Sequence, residues 1–329
     1  MSKQITLKGL SKILKLSTST ISKSLNDSHE ISDKTKKRVL EAAALYGYQP
    51  NIAAVNLKSG KTNTIGVIIP SVQNYFLARV LYGIEDAVVN TAYNVIVSTT
   101  KESLLREKNS IETLSNGLVD GFIIATSAET QIEESYEHLE SALNKSKPII
   151  MFDRVLNDFN CDKIIVEDFE AVKTVADKMK ASGLKNIILC STLHKLSVGK
   201  LRINGFKSVI ENPEIISGKE KKIEAKIYNF LKDNKCDGII ATDEASSLAA
   251  LRVCKKLNLN VPKDVSIVGY VSDIMAENLT PRLTTIKQHA YTIGQKAVEM
   301  LLKKLAQKST ENTSQSISSS VIKRDSTRF

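Results

Sequence analysis

The stretch LSTSTISKSLN, residues 16–26, decides the fold of the amino-terminal part of the chain. More than half of its residues carry hydroxyl groups, and Ser17 stands where a helix N-cap is expected. On a helix over Thr18–Leu25, the side chains of Ile21 and Leu25 fall on one face and pack inward. The opposite face then presents Thr18, Ser19, Ser22 and Lys23.

Two further short helices are predicted on either side of this stretch. The first covers about Leu7–Leu14, and the third follows Ser32 as its cap and ends at Gly47. Short hydroxyl side chains let a helix approach a DNA major groove closely, where Lys23 can reach a guanine edge or a phosphate. The pattern predicts a helix-turn-helix unit rather than an ordinary capped surface helix. The apolar positions of the third helix at helical spacing are Val39, Ala42, Ala43 and Tyr46.

The positive charge of the chain is concentrated in the same region. The 329 residues carry a net charge of +10, and residues 1–61 hold 11 Lys or Arg against 4 Asp or Glu. Such an excess indicates a contact with a polyanion, although a solvated lysine-rich terminus would give the same count. Charge alone does not decide between these two explanations, whereas the helical pattern favours a contact with DNA.

From Thr64 onward, short apolar runs alternate with segments of helical length. This alternation is typical of βαβ units and predicts an α/β fold with two doubly wound parallel-sheet subdomains. Ligands in such folds bind at the carboxyl ends of the strands, and a cleft between two halves is a natural pocket. The runs are residues 65–69, 94–98, 121–125, 148–152, 163–166, 186–190, 238–241 and 266–269, with a last strand expected in 318–325.

Several protein classes are excluded by composition and motif. The sequence has no 18-residue apolar run and no recognisable signal peptide, so we expect a cytoplasmic protein without a membrane partner. Its four cysteines form no CxxC pair and its four histidines are scattered, so neither a metal site nor a cofactor is expected. The common enzyme motifs are missing, and we expect no catalytic function.

The amino-terminal sequence ITLKGLSKILKLSTSTISKSLNDSHEISDKTKKRVLEAAALYGYQPN resembles the DNA-binding headpiece of the LacI/GalR family of transcription regulators. Further segments follow in family order: TNTIGVIIP, GLVDGFII, FDR, RINGF, VPKDVSIVGY, LTPRLTTIKQ and VIKRDST. Each match is weak alone, but their order and spacing together are specific. The rest of the chain resembles the periplasmic-binding-protein-like cores of this family.

The resemblance implies three parts. Residues 1–49 would be the helix-turn-helix domain, 50–63 a hinge helix with its linker, and 64–329 an effector-binding and dimerisation domain. Within the last part, the N-subdomain would comprise about 64–161 and 289–315, and the C-subdomain about 162–288 and 316–329. No leucine heptad follows VIKRDST, so a dimer is expected rather than a tetramer, with residues 75–89 at its interface.

The resemblance also assigns DNA contacts. Lys23 replaces the commoner arginine, so a single-point contact is expected in place of a bidentate one. Gly9 replaces the usual aspartate, Lys15 the usual turn glycine, and Val55 a common arginine. Leu57 would be the wedge that unstacks one base step, unless it packs on its own domain as a linker residue. Residues that hold phosphates or cap helices would be Thr6, Ser17, Ser22, Asn26, Ser32 and Thr35; base-reading residues would be Thr18, Ser19 and Lys23; minor-groove residues would be Ala54 and Leu57.

Six residues are expected in the effector pocket by the same resemblance: Asn74, Tyr75, Phe76, Asp153, Arg202 and Asp243. A carboxylate and a guanidinium suit vicinal hydroxyls. Alternatives remain open, since Arg202 could cap a helix, Asp153 could pair with Arg154, and the aromatic residues could belong to the core. The chain lacks tryptophan, and Val271 stands where an aspartate is common. Only 31 residues separate Phe206 from Gly238, which leaves little room for the usual strand and predicts a trimmed lobe.

These observations predict a sequence-specific DNA-binding regulator, a dimeric repressor of carbohydrate-related genes. Its affinity for double-stranded operator DNA would be switched by a small molecule in the interlobe cleft, a sugar or a sugar phosphate. A different ligand, or none, stays open. The alternative function is a solute-binding sensor with little role on DNA.

Overall fold

The computed structural model describes residues 5–49, 56, 60–307 and 311–329. The chain divides into two compact units, residues 1–62 and 63–329. Each unit has its own buried core.

The first unit contains helices α1 (Leu7–Leu14), α2 (Thr18–Leu25) and α3 (Asp33–Leu45), as the sequence pattern predicts. Its core consists of Leu10, Leu14, Ile21, Val39, Ala42 and Ala43. Tyr46 does not join this core and is 47% exposed, contrary to the expectation from helical spacing. Helix α3 ends at Leu45, and the positive φ of Gly47, +60°, turns the chain so that Tyr48 packs inward instead.

The turn between α1 and α2 is closed without glycine. Lys15 adopts the left-handed conformation, with φ +52° and ψ +41°, and its N–H donates to the carbonyl of Ser11. The Ser11 hydroxyl donates to the carbonyl of Leu16 at 2.6 Å. A residue with a Cβ is strained in this conformation, so the surrounding packing and hydrogen bonds hold the turn.

The second unit is built on two six-stranded sheets, which confirms the doubly wound α/β prediction. In the described strands, every neighbouring pair is parallel except β10 with β12. The first sheet has the order β11-β5-β4-β3-β1-β2, and the second the order β12-β10-β9-β8-β6-β7. The strands are β1 (Thr64–Ile69), β2 (Asn94–Thr99), β3 (Gly121–Ile124), β4 (Ile149–Phe152), β5 (Asp162–Val166), β6 (Ile187–Ser191), β7 (Glu214–Ser217), β8 (Gly238–Ala241), β9 (Ser266–Gly269), β10 (Thr284–Lys287), β11 (Ser314–Ile317) and β12 (Ser320–Ile322).

Helices cover both faces of each sheet, and the central strands β3, β4, β8 and β9 are buried along their whole length. No described helix is long and apolar enough to cross a bilayer. The helices are α4 (Tyr75–Val88), α5 (Leu104–Ser115), α6 (Ala128–Glu133), α7 (Glu137–Asn144), α8 (Asp168–Ala181), α9 (Ser197–Lys207), α10 (Glu220–Asp233), α11 (Glu244–Lys256), α12 (Asp273–Asn278) and α13 (Ala290–Gln307).

Strand β5 lies in the first sheet, between β4 and β11. The chain therefore first crosses between the lobes after Val166, and not between residues 161 and 162 as the sequence boundaries predicted. It crosses again between β10 and α13, and a third time between β11 and β12. The segment 314–322 thus contributes one strand to each sheet.

The presence of strand β7 contradicts the prediction of a trimmed second lobe. The short segment between Phe206 and Gly238 was predicted to leave little room for a strand, yet Glu214–Ser217 pairs in parallel with Ile188–Ser191. Helix α10 fills the remainder of the segment and buries Ile223, Ile227 and Leu231 against the sheet. The second lobe therefore keeps this strand, because a four-residue edge strand needs little chain.

Candidate DNA-binding surface and effector pocket

The exposed face of α2 presents the predicted base-reading residues. Thr18 and Ser19 are exposed and Lys23 is half-buried, while Ile21 is fully buried on the opposite face. The Ser17 hydroxyl accepts a hydrogen bond from the amide of Thr20 at 3.0 Å, which caps the helix. The face is small and polar, as close approach to a groove requires.

The other predicted phosphate or capping residues lie at helix ends. The Thr6 hydroxyl accepts from the amide of Gly9 at 3.2 Å at the start of α1. Ser32 occupies the N-cap of α3, but its hydroxyl hydrogen-bonds the Thr35 hydroxyl at 3.0 Å and no backbone amide. Ser22 lies within α2, and Asn26 ends it. Helix N-termini attract phosphate, so Thr6, Ser17 and Ser32 stand at suitable places for it.

Two acidic residues that sequence reasoning did not single out pair with lysines of this unit. The Lys23 ammonium forms an ion pair with the Glu30 carboxylate, in the loop between α2 and α3. The Lys36 ammonium lies 2.7 Å from the Asp27 carboxylate in the same loop. The hydrogen bond from Lys36 lowers the pKa of Asp27 and raises that of Lys36 itself. The predicted minor-groove residues Ala54 and Leu57 lie outside the described residues.

In the second unit, a cavity of about 370 Å³ lies between the two lobes. The six residues predicted for the effector pocket all line it, and helices from both lobes contribute to its wall. Their contacts with a ligand stay a prediction. The size suits a small molecule, and the position at the carboxyl ends of the strands is usual for this type of fold.

Arg202 lines the cavity from within α9, and none of its described hydrogen bonds caps a helix. Its guanidinium is buried and ion-paired with Asp168, with Nε 2.8 Å from Oδ1, and it donates to the carbonyl of Thr242 at 2.6 Å. It also lies 4.2 Å from the ring centroid of Tyr270. Burial raises the pKa of Asp168, while Arg202 opposes that rise. Arg202 is therefore rigidly held.

Asp153 is the unusual residue of the cavity. Its backbone has φ +57°, its side chain is buried, and none of the described residues hydrogen-bonds its carboxylate. Burial raises its pKa to about 6, while Arg202 and Arg154 act in the opposite direction. Arg154 pairs with Glu102 rather than with Asp153, the alternative left open above. A ligand hydroxyl could satisfy this carboxylate.

Two predicted pocket residues also cap helices. Asp243 caps α11, with Oδ1 accepting from the amide of Ser246 at 2.9 Å and Oδ2 from that of Thr192 at 2.7 Å. Asn74 caps α4 by accepting from the amide of Leu77 at 3.1 Å. Each oxygen keeps a free lone pair, so capping does not prevent ligand contact.

The aromatic residues of the cavity differ in position. Tyr75 is 41% exposed, whereas Phe76 packs against the core of the first lobe. Tyr270 is buried beneath Arg202, and burial raises its pKa strongly. Val271, which replaces a common aspartate, also lines the cavity. Of the two aromatic residues predicted for the pocket, Tyr75 is thus the better placed to cover a ligand.

The sequence did not predict the roles of three residues, two in the cavity wall and one that connects the lobes elsewhere. Tyr270 and Gln288 lie within motifs that carried the resemblance, but neither was singled out. The Gln288 amide nitrogen is buried without a hydrogen-bond partner among the described residues. The side chain of Gln131 in α6 joins the lobes, since its oxygen accepts from the amide of Ser197 at 3.1 Å. Its nitrogen donates to the Ser197 hydroxyl at 3.0 Å.

Comparison with known proteins agrees with both parts of this description. Residues 7–51 match the family described as bacterial regulatory proteins, lacI family, and residues 176–327 match the periplasmic binding protein-like domain. The sucrose operon repressor of Streptococcus mutans is 30% identical over 311 residues, which cover 92% of this chain and 94% of that protein. The chain belongs to the lacI family of bacterial regulatory proteins.

Solved structures show the same fold as this lacI-family chain. The lac repressor dimer bound to operator and the anti-inducer ONPF superposes with a TM-score of 0.86 at 22% identity and covers 99% of both chains. A lacI-family regulator from Enterococcus faecium with bound ribose gives a TM-score of 0.71 at 26% identity. That match covers 80% of this lacI-family chain and 98% of the Enterococcus protein.

Proposed function

We propose that this protein is a repressor that binds a two-fold operator as a homodimer and is switched by a small sugar. The observation that carries the proposal is that one chain contains both a helix-turn-helix unit and a unit with an enclosed cavity. A helix-turn-helix unit exposes a face of hydroxyls and one lysine. A second unit encloses a cavity between two lobes. Such a cavity can couple ligand binding to a change in DNA affinity.

On DNA, residues 1–49 would dock α2 in the major groove, with Thr18, Ser19 and Lys23 toward the bases. Residues 50–63 would form the hinge, where Ala54 and Leu57 enter the minor groove and Leu57 opens one base step. Residues 64–329 would bind the effector and the partner subunit. The concentration of positive charge in residues 1–61 supports this division.

The dimer would use α4 of the first lobe. Its outer face exposes Tyr82 by 56%, and Val89 directly after the helix is 72% exposed. Large exposed apolar side chains on one surface are typical of protein interfaces. The related lac repressor is a dimer on its operator, and a two-fold protein matches a palindromic site.

The charges of the cavity favour an uncharged, hydroxyl-rich sugar over a sugar phosphate. Arg154, Arg202 and Lys287 are each ion-paired with a carboxylate, and Arg79 stacks on two tyrosine rings. A phosphate would therefore compete with existing ion pairs. The unsatisfied carboxylate of Asp153 instead needs a donor such as a hydroxyl. Relatives include repressors named for sucrose and ribose operons.

We propose no catalytic role for the cavity. Both oxygens of Asp243 accept backbone hydrogen bonds, so this carboxylate is held as a cap rather than kept free as a general acid or base. The relatives described above are regulators. An assay of the full chain against common glycosides checks this point, and measurable hydrolysis would contradict it.

The proposal is tested by presenting the full-length protein with random duplexes, with and without a panel of neutral sugars and sugar phosphates. We expect enrichment of an inverted repeat, steep loss of affinity with salt, and a change in affinity with one neutral sugar. Leu57→Ala should abolish DNA bending while leaving the free dimer intact. Failure to enrich any duplex, with ligand binding retained, would instead identify a solute sensor with little role on DNA.

A further inference from the structure

Glu30 is a charged residue on the DNA-facing unit to which neither the resemblance nor the comparisons give a role. It lies in the loop between α2 and α3, and its carboxylate is ion-paired with the ammonium of Lys23. The side chains are 53% and 43% exposed, respectively, so both groups are within reach of a partner from solvent.

The loop holds Glu30 beside α2 by several hydrogen bonds. The amide of Ser28 donates to the carbonyl of Lys23 at 3.0 Å, and the amide of Ile31 donates to the carbonyl of Ser28 at 3.2 Å. On the other side, Lys36 binds the Asp27 carboxylate at 2.7 Å. Glu30 thus has a defined position next to the lysine proposed to read DNA.

An exposed ion pair is weak and exchanges partners readily, so Lys23 can leave Glu30 when DNA is near. The carboxylate that it leaves behind can only accept hydrogen bonds. Phosphates repel it, and guanine O6, adenine N7 and thymine O4 offer it no donor. Two groups in the major groove do offer a donor, the N4 amino group of cytosine and the N6 amino group of adenine. The cytosine donor is paired with guanine, which presents both O6 and N7 to Lys23, whereas the adenine donor is paired with thymine, which presents only O4 and a methyl group.

We propose that Glu30 is a specificity-determining residue that reads one G·C base pair in each half-site together with Lys23. Lys23 donates to the guanine edge, and Glu30 accepts from the N4 amino group of the paired cytosine. On other base pairs either the carboxylate of Glu30 faces an acceptor, or Lys23 meets thymine O4 alone instead of the two guanine acceptors, and both cases weaken binding. The inference rests on the proposed docking of α2 in the major groove.

The test repeats the enrichment from random duplexes with the full-length protein and its Glu30→Gln variant. Asp27→Asn is the matched control, because it removes a carboxylate from the same loop that pairs with Lys36 and not with Lys23. We expect the unsubstituted protein to prefer G·C at one position of each half-site by about tenfold or more. Glu30→Gln should reduce this preference several-fold, because an amide can also donate to acceptors on other base pairs, while Asp27→Asn should keep it.

Affinity for a non-specific duplex gives a second measurement. Glu30→Gln should bind it several-fold more tightly, and the slope of log affinity against log salt should steepen by about one, because the carboxylate no longer repels the phosphates. If Glu30→Gln keeps the G·C preference, or shifts affinity only as Asp27→Asn does, Glu30 has no reading role. If the unsubstituted protein enriches no sequence, the proposed function itself is wrong, and the assignment of Glu30 falls with it.

Discussion

Two ion pairs, one in each unit, differ strongly in their exposure to solvent. Lys23 and Glu30 in the helix-turn-helix unit are both about half exposed. The side chains of Arg202 and Asp168 in the cavity wall are 4% and 1% exposed. The first pair lies in water, where charges attract weakly and exchange partners, whereas the second is enclosed by protein.

The difference matches the partner that we propose for each surface. A DNA-reading face must give up its contacts when it docks, so its ion pairs have to be weak. A ligand cavity has to keep its shape when empty, and Arg202 is fixed in its wall by three hydrogen bonds to Asp168 and Thr242. Breaking the buried pair should therefore harm the fold, and breaking the exposed pair should alter only DNA binding.

The largest effect is expected for Arg202→Ala. The change leaves Asp168 buried without its partner and should lower the free energy of unfolding by about 3–5 kcal/mol. The loss should be greatest at high pH and shrink as the pH falls, because burial raises the pKa of Asp168 and the variant carboxyl can take up a proton. Urea unfolding followed by circular dichroism at several pH values measures it.

Lys287→Ala is the control for this experiment, since its ion pair with Asp273 is about 40% exposed on both sides. Lys287→Ala should lower the free energy of unfolding by no more than about 1 kcal/mol. Equal losses for the two variants would show that burial of the Arg202 pair is not what stabilises the second unit.

Asp153→Asn should stabilise the protein and remove its response to effector. The pKa of Asp153 is raised to about 6 from 3.8, so the folded protein binds a proton on this carboxyl group more tightly than the unfolded chain does. Ionisation of the group therefore destabilises the folded state. The stability associated with the protonated carboxyl group is lost as the pH rises through about 6. At pH 8 the variant should therefore gain about 2–3 kcal/mol in unfolding free energy, and near pH 4 almost nothing.

Thermal unfolding of both proteins across this pH range, together with calorimetric titration of the sugar, measures the two effects. A gain that is the same at pH 4 and pH 8 would mean that ionisation of Asp153 is not its source. Retained sugar binding would remove Asp153 from the effector site.

Lys23→Ala should weaken binding to the selected operator by about 1–3 kcal/mol, because one contact to a base edge is lost. Its effect on stability should stay below about 1 kcal/mol, since only an exposed ion pair is broken. Fluorescence anisotropy with operator and with an unrelated duplex separates specific from general binding. Lys37→Ala, also an exposed lysine of the same unit, serves as the control. Equal losses for both lysines on both duplexes would argue against base reading by Lys23.

The smallest effect is expected for Lys15→Gly. This substitution removes the Cβ that is strained in the left-handed conformation of the turn before α2. It should stabilise the first unit by about 1 kcal/mol. Hydrogen exchange of the α1 and α2 amides in the full chain reports this gain. Lys12→Gly, inside the last turn of α1, should destabilise by about the same amount. Weaker protection in Lys15→Gly would show that the lysine side chain itself supports the turn.

The sequence predicted those elements whose pattern is local. Helix α2 and its cap follow from Ser17 and the spacing of Ile21 and Leu25, and the buried strands follow from continuous apolar runs. Strand β10 was missed because Thr284 and Thr285 are buried with their hydroxyls hydrogen-bonded, so no apolar run marks it. Edge strands β7 and β11 carry polar residues for a different reason, since one side of each is open.

In the cavity, resemblance supplied the residues but not their partners. Arg202 and Asp168 are 34 positions apart, and Arg154 and Glu102 are 52 apart. Such pairings depend on how distant elements pack, and periodicity within one element carries no information about them. The pairing of Lys23 with Glu30 was missed although they are close in sequence, because an irregular loop has no periodic pattern to read.

The segment 314–322 has a consequence for synthesis. It adds β11 beside β5 in one sheet and β12 beside β10 in the other, after every other strand has been made. Neither sheet can therefore be completed on the ribosome while this late segment is still untranslated or within the exit tunnel. Both lobes should therefore reach their final state together once residues 314–322 have emerged, in contrast to proteins whose domains mature one after another.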